Sequence, residues 1–182
     1  MIDDRTLYST ISEYLSNDYL NIIFFASNRM IEEAKENEEY RNMLERVDLI
    51  LSEDRNFLPD FLPGKKLYLL GDNEAKLKNF IAWCEEKFRG ITILGAYCVN
   101  PELGPELIIN EINGLSPDII LAVMDSPVQE IWITNNCTKL DARLCIGLGS
   151  IVDSIMGRKG RIRSFLRRLR MDHILSGGHE KK

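Results

Sequence analysis

Long apolar runs, metal-binding cysteine pairs and histidines are scarce in this chain of 182 residues. No apolar run reaches the roughly 20 residues that a membrane-spanning helix needs, and the polar start over residues 1–5 does not have the pattern of a signal peptide. The four cysteines form no Cys-x-x-Cys pair, and the two histidines lie near the C-terminus. We therefore expect buried free thiols, no metal or other cofactor, and a cytoplasmic protein.

Charge and apolar content indicate a single acidic globular domain. A hydrophobic content of 45% over this length is enough for one substantial core. The formal net charge of -5 argues against general nucleic-acid binding. Neither an internal repeat nor a low-complexity linker divides the chain. The sequence thus predicts one Rossmann-like α/β domain over residues 1–160, followed by a basic amphipathic helix and tail over residues 161–182.

Short apolar runs alternate with segments of helical periodicity along the chain. Predicted strands cover residues 20–26, 47–51, 66–70, 91–95, 119–124 and 144–149. Predicted helices cover residues 5–17, 29–45, 74–88, 101–113 and a segment that begins at 128. The proline-punctuated apolar stretch over residues 57–64 is expected to be a packed loop. The alternation predicts a mostly parallel sheet, flanked by helices and joined by right-handed crossovers.

The stretch over residues 116–157 combines two buried strands with polar turns. The apolar run over residues 119–124 has no polar alternation, as expected for a strand that is covered on both faces. The tripeptide Asp125-Ser126-Pro127 then supplies a helix cap and an early-helix proline. In open α/β sheets, ligands bind where the carboxyl ends of parallel strands meet helix starts. Three polar side chains are expected at that edge, namely Gln129, Glu130 and Asp153.

Two short motifs follow these two strands. The first reads Pro-x-Gln-Glu-x-Trp and consists of Pro127, Gln129, Glu130 and Trp132. The second is a Gly-x-Gly turn with a later aspartate and glycine, and it consists of Gly147, Gly149, Asp153 and Gly157. Both motifs resemble those of the WecG/TagA/CpsF family of bacterial glycosyltransferases, in the same order and at the same separation, with Met156 in place of the family's alanine. The resemblance covers about residues 20–175.

The resemblance implies a metal-independent, inverting glycosyltransferase of cell-surface polysaccharide or teichoic acid synthesis. The implied donor is a UDP-N-acetylhexosamine, such as UDP-N-acetylmannosamine. The implied acceptor is a lipid-linked sugar at the inner membrane face, where the protein would be peripheral. The implied nucleotide-sugar contacts are Asn28, Gln129, Glu130, Gly147, Gly149 and Asp153. Trp132 is expected to belong to the core.

The chain departs from the family at the catalytic base. The family's second strand ends in Pro-Asp-Gly, whose aspartate is the proposed base, whereas this chain has Ser52-Glu53-Asp54. Glu53 and Asp54 are therefore the candidate bases. The family's next segment, with its Gly-x-Asp-Leu site, has no counterpart, because only residues 57–65 lead to the following strand. The alternative to an enzyme is an inactive relative that binds a nucleotide sugar or a partner protein.

Structural alternatives stand beside these roles. Gln129 has the alternative of an exposed helix residue, Asp153 that of a helix cap, and Glu53 that of a solvated loop carboxylate. The basic tail is expected to contact the donor diphosphate or anionic lipid, or else to dock on the core with a solvated basic face. Its candidate contacts are Arg161, Arg163, Arg167 and Arg168. Loss of the family's segment also predicts an apolar self-association surface at residues 57–62, and hence a homo-oligomer.

Overall fold

The fold is a single parallel sheet with helices on both faces, and the computed structural model describes residues 3–53, 58–100 and 102–157. Its strands are β1 (Asn21–Ala26), β2 (Leu49–Ser52), β3 (Lys66–Gly71), β4 (Thr92–Cys98), β5 (Ile119–Val123) and β6 (Leu144–Gly147). Their order in the sheet is β2-β1-β6-β5-β3-β4, and every pairing is parallel. The predicted Rossmann-like α/β fold is therefore confirmed.

Helices connect the strands and form two cores. They are α1 (Asp4–Tyr14), α2 (Asn28–Glu36), α3 (Glu38–Leu44), α4 (Leu58–Phe61), α5 (Glu74–Lys87), α6 (Glu106–Leu115), α7 (Val128–Asn136) and α8 (residues 151–157). One core joins the sheet to α1, α4, α5 and α8, and the other joins it to α2, α3, α6 and α7. Because helices cover both faces, β5 and β6 are buried along their whole length and have no polar alternation.

Side-chain caps mark where several helices begin. Ser27 Oγ accepts a hydrogen bond from the Met30 amide at 3.1 Å and starts α2 directly after β1. The Asn37 Oδ1 atom accepts from the Tyr40 amide at 3.0 Å and starts α3. Since Asn37 has extended backbone, it also ends α2, and the single helix predicted over residues 29–45 is in fact two helices. Each such cap typically contributes about 1 kcal/mol.

Two further predictions are corrected by the structure. The stretch predicted as a loop contains α4, and the side chains of Leu58, Phe61 and Leu62 belong to the core. The apolar self-association surface predicted there is therefore wrong for these three residues. Strand β4 also extends to Cys98, three residues beyond the predicted end at Gly95. An exposed edge strand lacks the continuous burial that makes a strand easy to recognise in sequence.

Some sequence predictions concern residues outside the ranges that the structure describes. Asp54 and the basic segment over 161–182, with Arg161, Arg163, Arg167 and Arg168, lie outside the described residues. Among the helices that are described, none combines the length and apolar character required to cross a membrane.

The four cysteines are free thiols in different environments. Cys84 and Cys145 are buried, whereas Cys98 and Cys137 are partly exposed. Burial raises the pKa of the Cys84 thiol to about 12. It also raises the pKa of the Cys145 thiol well above its ordinary range. The expectation of buried thiols is thus confirmed for two of the four.

Iodoacetamide should label Cys137 in the folded protein at least about a hundredfold faster than Cys84 or Cys145, because the thiolate is the reacting form and burial suppresses it. Peptide mass spectrometry after timed labelling measures these rates. Labelling in denaturant is the control, and it should make the rates similar. Equal rates in the folded protein would contradict the burial of Cys84 and Cys145.

Candidate active site at the carboxyl edge of the sheet

The predicted site residues lie at the carboxyl ends of four neighbouring strands. Asn28 follows β1, Glu53 follows β2, Gln129 follows β5, and the turn with Gly149 follows β6. Helix α2 after β1 packs on one face of the sheet, and α8 after β6 packs on the other. Adjacent strands whose following helices diverge in this way leave a crevice between them, which is where open α/β sheets bind ligands.

Gln129 holds the turn after β6 from inside the protein. Its side chain is 0% exposed, which excludes the alternative of an exposed helix residue. The Gly149 amide donates to Gln129 Oε1 at 2.9 Å, while Gln129 Nε2 donates to Glu130 Oε1 at 2.9 Å. Gly149 has a φ of +52°, in the left-handed region that glycine adopts without strain. The glutamine therefore sets the shape of the glycine turn.

Gly147 makes room for this glutamine. A Cβ atom added at Gly147 would lie 2.5 Å from the Phe24 ring and 2.6 Å from the Gln129 carboxamide. Both distances are far below van der Waals contact, so any side chain here would displace one of these groups. The glycine in the second motif thus allows close packing between β6 and α7.

Glu130 is the centre of a buried hydrogen-bond network. Its side chain is 0% exposed, and its Oε1 atom accepts from Ser126 Oγ at 2.9 Å as well as from Gln129. Its Oε2 atom accepts from the Tyr40 hydroxyl at 3.0 Å. Burial and the neighbouring carboxylate raise the pKa of Tyr40, which keeps this donor protonated. Three donors compensate for the removal of the acidic group from water.

The network also joins two loops of the carboxyl edge. Ser126 Oγ lies 3.3 Å from Ser27 Oγ, so the loop after β5 contacts the loop after β1. The tripeptide over residues 125–127 was predicted to supply a helix cap, but the cap position of α7 is Pro127 and has no side-chain hydrogen bond. The serine hydroxyl binds Glu130 instead. The same loops that shape the crevice are thus tied together beneath it.

Helix α7 has an unusual distribution of polarity, which explains these contacts. Its buried residues include Gln129, Glu130 and Asn136, whereas Val128 and Ile131 are 39% and 43% exposed. The polar side chains face the protein interior and two apolar ones face outward, opposite to an ordinary amphipathic surface helix. The inward polar face supplies the hydrogen bonds that hold the crevice.

Trp132 lies on the outer part of α7. It is half-buried, packs against the core and borders a surface groove of about 440 Å³ between α7 and the start of α6. The prediction of a core tryptophan is therefore confirmed for the part of the ring that meets the core. The groove is lined by Val99, Asn100, Leu103, Pro105, Val128, Ile131, Trp132, Asn135 and Asn136.

Glu53 contacts the glycine turn from the other side of β1. Ser150 Oγ donates to Glu53 Oε1 at 2.8 Å, and both side chains are exposed. The contact reaches from the end of β2 to the turn after β6, across the intervening strand β1. It places the candidate base next to the turn that Gln129 shapes.

Asn28 and Asp153 are the exposed members of the predicted nucleotide site. Asn28 is the first residue of α2, and Asp153 lies in the first turn of α8. Ser150, not Asp153, occupies the position before the first residue of α8. Asp153 is thus not the N-cap, although a first-turn carboxylate favours the helix dipole. Both residues are exposed at the carboxyl edge of the sheet.

Four polar residues of the site were not singled out as ligands or network members from the sequence: Ser27, Tyr40, Ser126 and Ser150. Tyr40 lies 90 residues before Glu130 in the chain, so no local spacing connects the two. Ser150 directly follows the Gly-x-Gly turn and Ser126 directly precedes Pro127, so adjacency to a motif is the signal that could have identified these two residues.

Tyr40→Phe should lower the free energy of unfolding by about 2 kcal/mol, because it removes a donor from a buried acidic group. Tyr8→Phe is the matched control, since its hydroxyl bonds Asp60 at the exposed surface and its loss should cost less than about 0.5 kcal/mol. Urea unfolding of both variants measures the difference. Equal losses would show that the buried network contributes no more than a surface contact.

Comparison with known proteins identifies the family once this geometry is established. The family model described as "Glycosyl transferase WecG/TagA/CpsF family" matches residues 61–175, which is more than half of the chain. Comparison with curated proteins finds no significant match. The matched span contains Gln129, Gly149 and Asp153, whereas Asn28 and Glu53 precede it. The chain therefore belongs to the WecG/TagA/CpsF family of glycosyltransferases, whose activity is associated with cell-surface polysaccharide synthesis.

Proposed function

We propose that this protein transfers an N-acetylhexosamine, such as N-acetylmannosamine, from a UDP-sugar to a lipid-linked acceptor in cell-surface polysaccharide or teichoic acid synthesis. Family membership supports glycosyl transfer in this context. The observation that carries the proposal is the Gly149 turn, which Gln129 holds from beneath at the carboxyl edge of the sheet. Exposed Asn28, Glu53 and Asp153 follow β1, β2 and β6 at the same edge of the sheet, so a hydrogen-bonded turn is combined with polar groups that face solvent.

The donor would bind across the crevice between β1 and β6. Asp153 and Asn28 supply hydrogen-bonding groups for the ribose and uracil, and Gly149 lets the ligand approach the backbone closely. Gln129, Glu130 and Gly147 act on the donor through the shape of the turn, because their side-chain positions are buried. The donor diphosphate carries negative charge, and the basic segment over residues 161–182 would compensate for it.

The acceptor hydroxyl would react in one metal-independent displacement with inversion. Its oxygen attacks the anomeric carbon as the bond to UDP breaks, and UDP leaves with that electron pair. Glu53 accepts the hydroxyl proton as the general base. The Ser150 hydrogen bond occupies Oε1 of this carboxylate, and within the described residues Oε2 accepts no hydrogen bond. Asp54 is the alternative base from the same turn.

A lipid-linked acceptor requires the protein to work at a membrane surface. Arg161, Arg163, Arg167 and Arg168 lie in a segment of amphipathic sequence pattern. Basic residues near an anionic surface contribute about 1 kcal/mol each to binding. The proposal therefore places the protein in the cytoplasm, in peripheral contact with the inner membrane face.

A second candidate is an inactive relative that binds a nucleotide sugar or a partner. The family match begins at residue 61 and leaves out the strand ends that carry Asn28 and Glu53. The family's Pro-Asp-Gly turn is also replaced by Ser52-Glu53-Asp54. Intact donor-side motifs with an altered base would give binding without turnover.

Asn28→Ala and Asp153→Ala should each weaken UDP binding by roughly fivefold to thirtyfold and lower the melting temperature by no more than about 3 °C, because each removes one exposed hydrogen-bonding group. Calorimetric titration with UDP and UDP-N-acetylhexosamines, without added metal, measures the affinity. Asp141→Ala is the matched control, since Asp141 is exposed and precedes β6 at the opposite edge of the sheet. Gln129→Ala should lose both binding and stability. Failure of the unaltered protein to bind at millimolar ligand would refute the proposed donor.

Glu53→Gln should lower turnover by roughly 10²–10⁴-fold and leave UDP affinity unchanged, because the amide cannot accept the acceptor proton. Release of UDP in the presence of a lipid-linked acceptor measures turnover. Asp54→Asn is the paired variant and distinguishes the two carboxylates of this turn. Tight UDP binding with no turnover in the unaltered protein would favour the inactive relative.

A further inference from the structure

The surface groove between α7 and the start of α6 is built on a single stripe of α7. Five of its nine lining residues have the spacing i, i+3, i+4, i+7 and i+8, which places them on one side of a helix: Val128, Ile131, Trp132, Asn135 and Asn136. The opposite wall consists of Val99 and Asn100 after β4 and of Leu103 and Pro105 before α6. The groove volume of about 440 Å³ lies within the range of small-molecule sites, roughly 300–1,000 Å³.

The apolar side chains of this groove remain partly in contact with water. Val128 and Ile131 are 39% and 43% exposed, and Leu103 on the opposite wall is 57% exposed. Trp132 is partly buried and lines the groove beside them. Exposed apolar side chains that form a continuous patch with a polar rim mark a binding site, whereas isolated ones do not.

The lining of the groove is electrically neutral. None of the nine described residues that form it is Asp, Glu, Lys, Arg or His. The loop wall is flanked in sequence by Glu102 and Glu106, which are exposed. A diphosphate or another anion would therefore meet nearby negative charge and no positive group in the lining. The electrostatics of the groove favour a neutral ligand.

Three asparagine carboxamides give the groove hydrogen-bonding groups of both kinds. Asn136 is 6% exposed, and its Nδ2 atom donates to the Trp132 carbonyl at 2.8 Å, whereas its Oδ1 atom accepts no hydrogen bond from any described residue. Asn100 Oδ1 accepts from the Glu102 amide at 2.9 Å, which leaves the Nδ2 donor for a ligand. Asn135 is exposed, and its side chain makes no hydrogen bond to the residues that the structure describes. A buried acceptor such as Asn136 Oδ1 needs a donor from a ligand or from water.

We propose that this groove binds a neutral saccharide of the N-acetylhexosamine class. A pyranose ring has an apolar face of C–H groups, which packs on the Trp132 indole, and a rim of hydroxyl groups, which hydrogen-bond to the carboxamides. An acetamido group adds a methyl group that contacts Val128 and Ile131, and an N–H group that donates to Asn136 Oδ1. A ligand that was charged or wholly apolar would leave one part of this lining without a partner.

The groove adjoins the proposed donor crevice but uses different residues. Val128 lines the groove, and the next residue, Gln129, holds the Gly149 turn from the inner side of α7. A saccharide in the groove would therefore lie beside the carboxyl edge of the sheet. Its role as a glycan held close to the donor rests on the proposed function, whereas saccharide binding itself does not.

The chain has two tryptophans, so the groove is accessible to fluorescence measurements. Trp83 lies on α5 and packs against Phe80 and Phe88 in the core on the other face of the sheet. Trp83→Phe therefore leaves Trp132 as the only tryptophan. The emission of this variant should change saturably on titration with millimolar N,N′-diacetylchitobiose, a disaccharide of N-acetylglucosamine. Glycerol is the control for solvent effects, and Trp132→Phe, which retains Trp83, should show no change.

Two matched pairs of variants, each combined with Trp83→Phe, test the position of the saccharide. Asn135→Ala should weaken binding about fivefold, because it removes exposed hydrogen-bonding groups, while Asn79→Ala at an exposed position of α5 should have no effect. Ile131→Glu should weaken binding at least about tenfold, because it places a charge in the neutral lining. Ile31→Glu is its control, since Ile31 on α2 is 46% exposed, and it should have no effect.

An unchanged Trp132 emission at the highest soluble concentration of the disaccharide would overturn the proposal. A response of the same size to glycerol would also overturn it, as would a response to uridine alone, which would assign the groove to a nucleobase. Calorimetric titration of the same variant with UDP tests the donor crevice separately. Absence of UDP binding with an intact saccharide response would refute the proposed donor and leave the groove assignment standing.

Discussion

The buried contact between Gln129 and Glu130 is the interaction on which the site depends. Two polar side chains that lose all contact with water need partners, and each unmet hydrogen bond would cost on the order of 1–3 kcal/mol. Those partners come from separate parts of the chain: Tyr40 from α3, Ser126 from the loop after β5 and Gly149 from the turn after β6. Satisfying one buried pair therefore holds three segments in register.

The same network explains why the carboxyl edge has a buried, hydrogen-bonded floor and an exposed rim. The floor consists of groups whose hydrogen bonds are used within the protein. The rim that we propose consists of Asn28, Glu53 and Asp153, which are exposed. The family match covers only part of this edge. It includes the carboxyl ends of β5 and β6 but not those of β1 and β2. The family model therefore covers the β5 and β6 side of this edge.

The sequence was sufficient to predict the strands of the interior, because burial on both faces leaves uninterrupted apolar runs such as Ile119–Val123. It was insufficient where tertiary contacts decide the outcome. In α7, Val128 and Ile131 point outward and Gln129 inward, so hydrophobic periodicity gives the wrong face. The order of strands and helices alone was enough to place Gln129 at the carboxyl edge of the sheet. Its burial could not be predicted in this way, because it depends on Gly147 at the end of β6.

The position of β6 has a consequence for how the protein is assembled during synthesis. β6 pairs with β1 on one side and with β5 on the other, and Asn21 is paired with Leu144 near the end of the described chain. The β1–β2 pair and the β3–β4–β5 group thus remain separate half-sheets until residues 144–147 emerge from the ribosome. Such distant parallel pairings form slowly, and the facing edges of β1 and β5 stay open to aggregation meanwhile. The carboxyl-edge crevice lies along this seam, so it forms only after β6 has paired with both half-sheets.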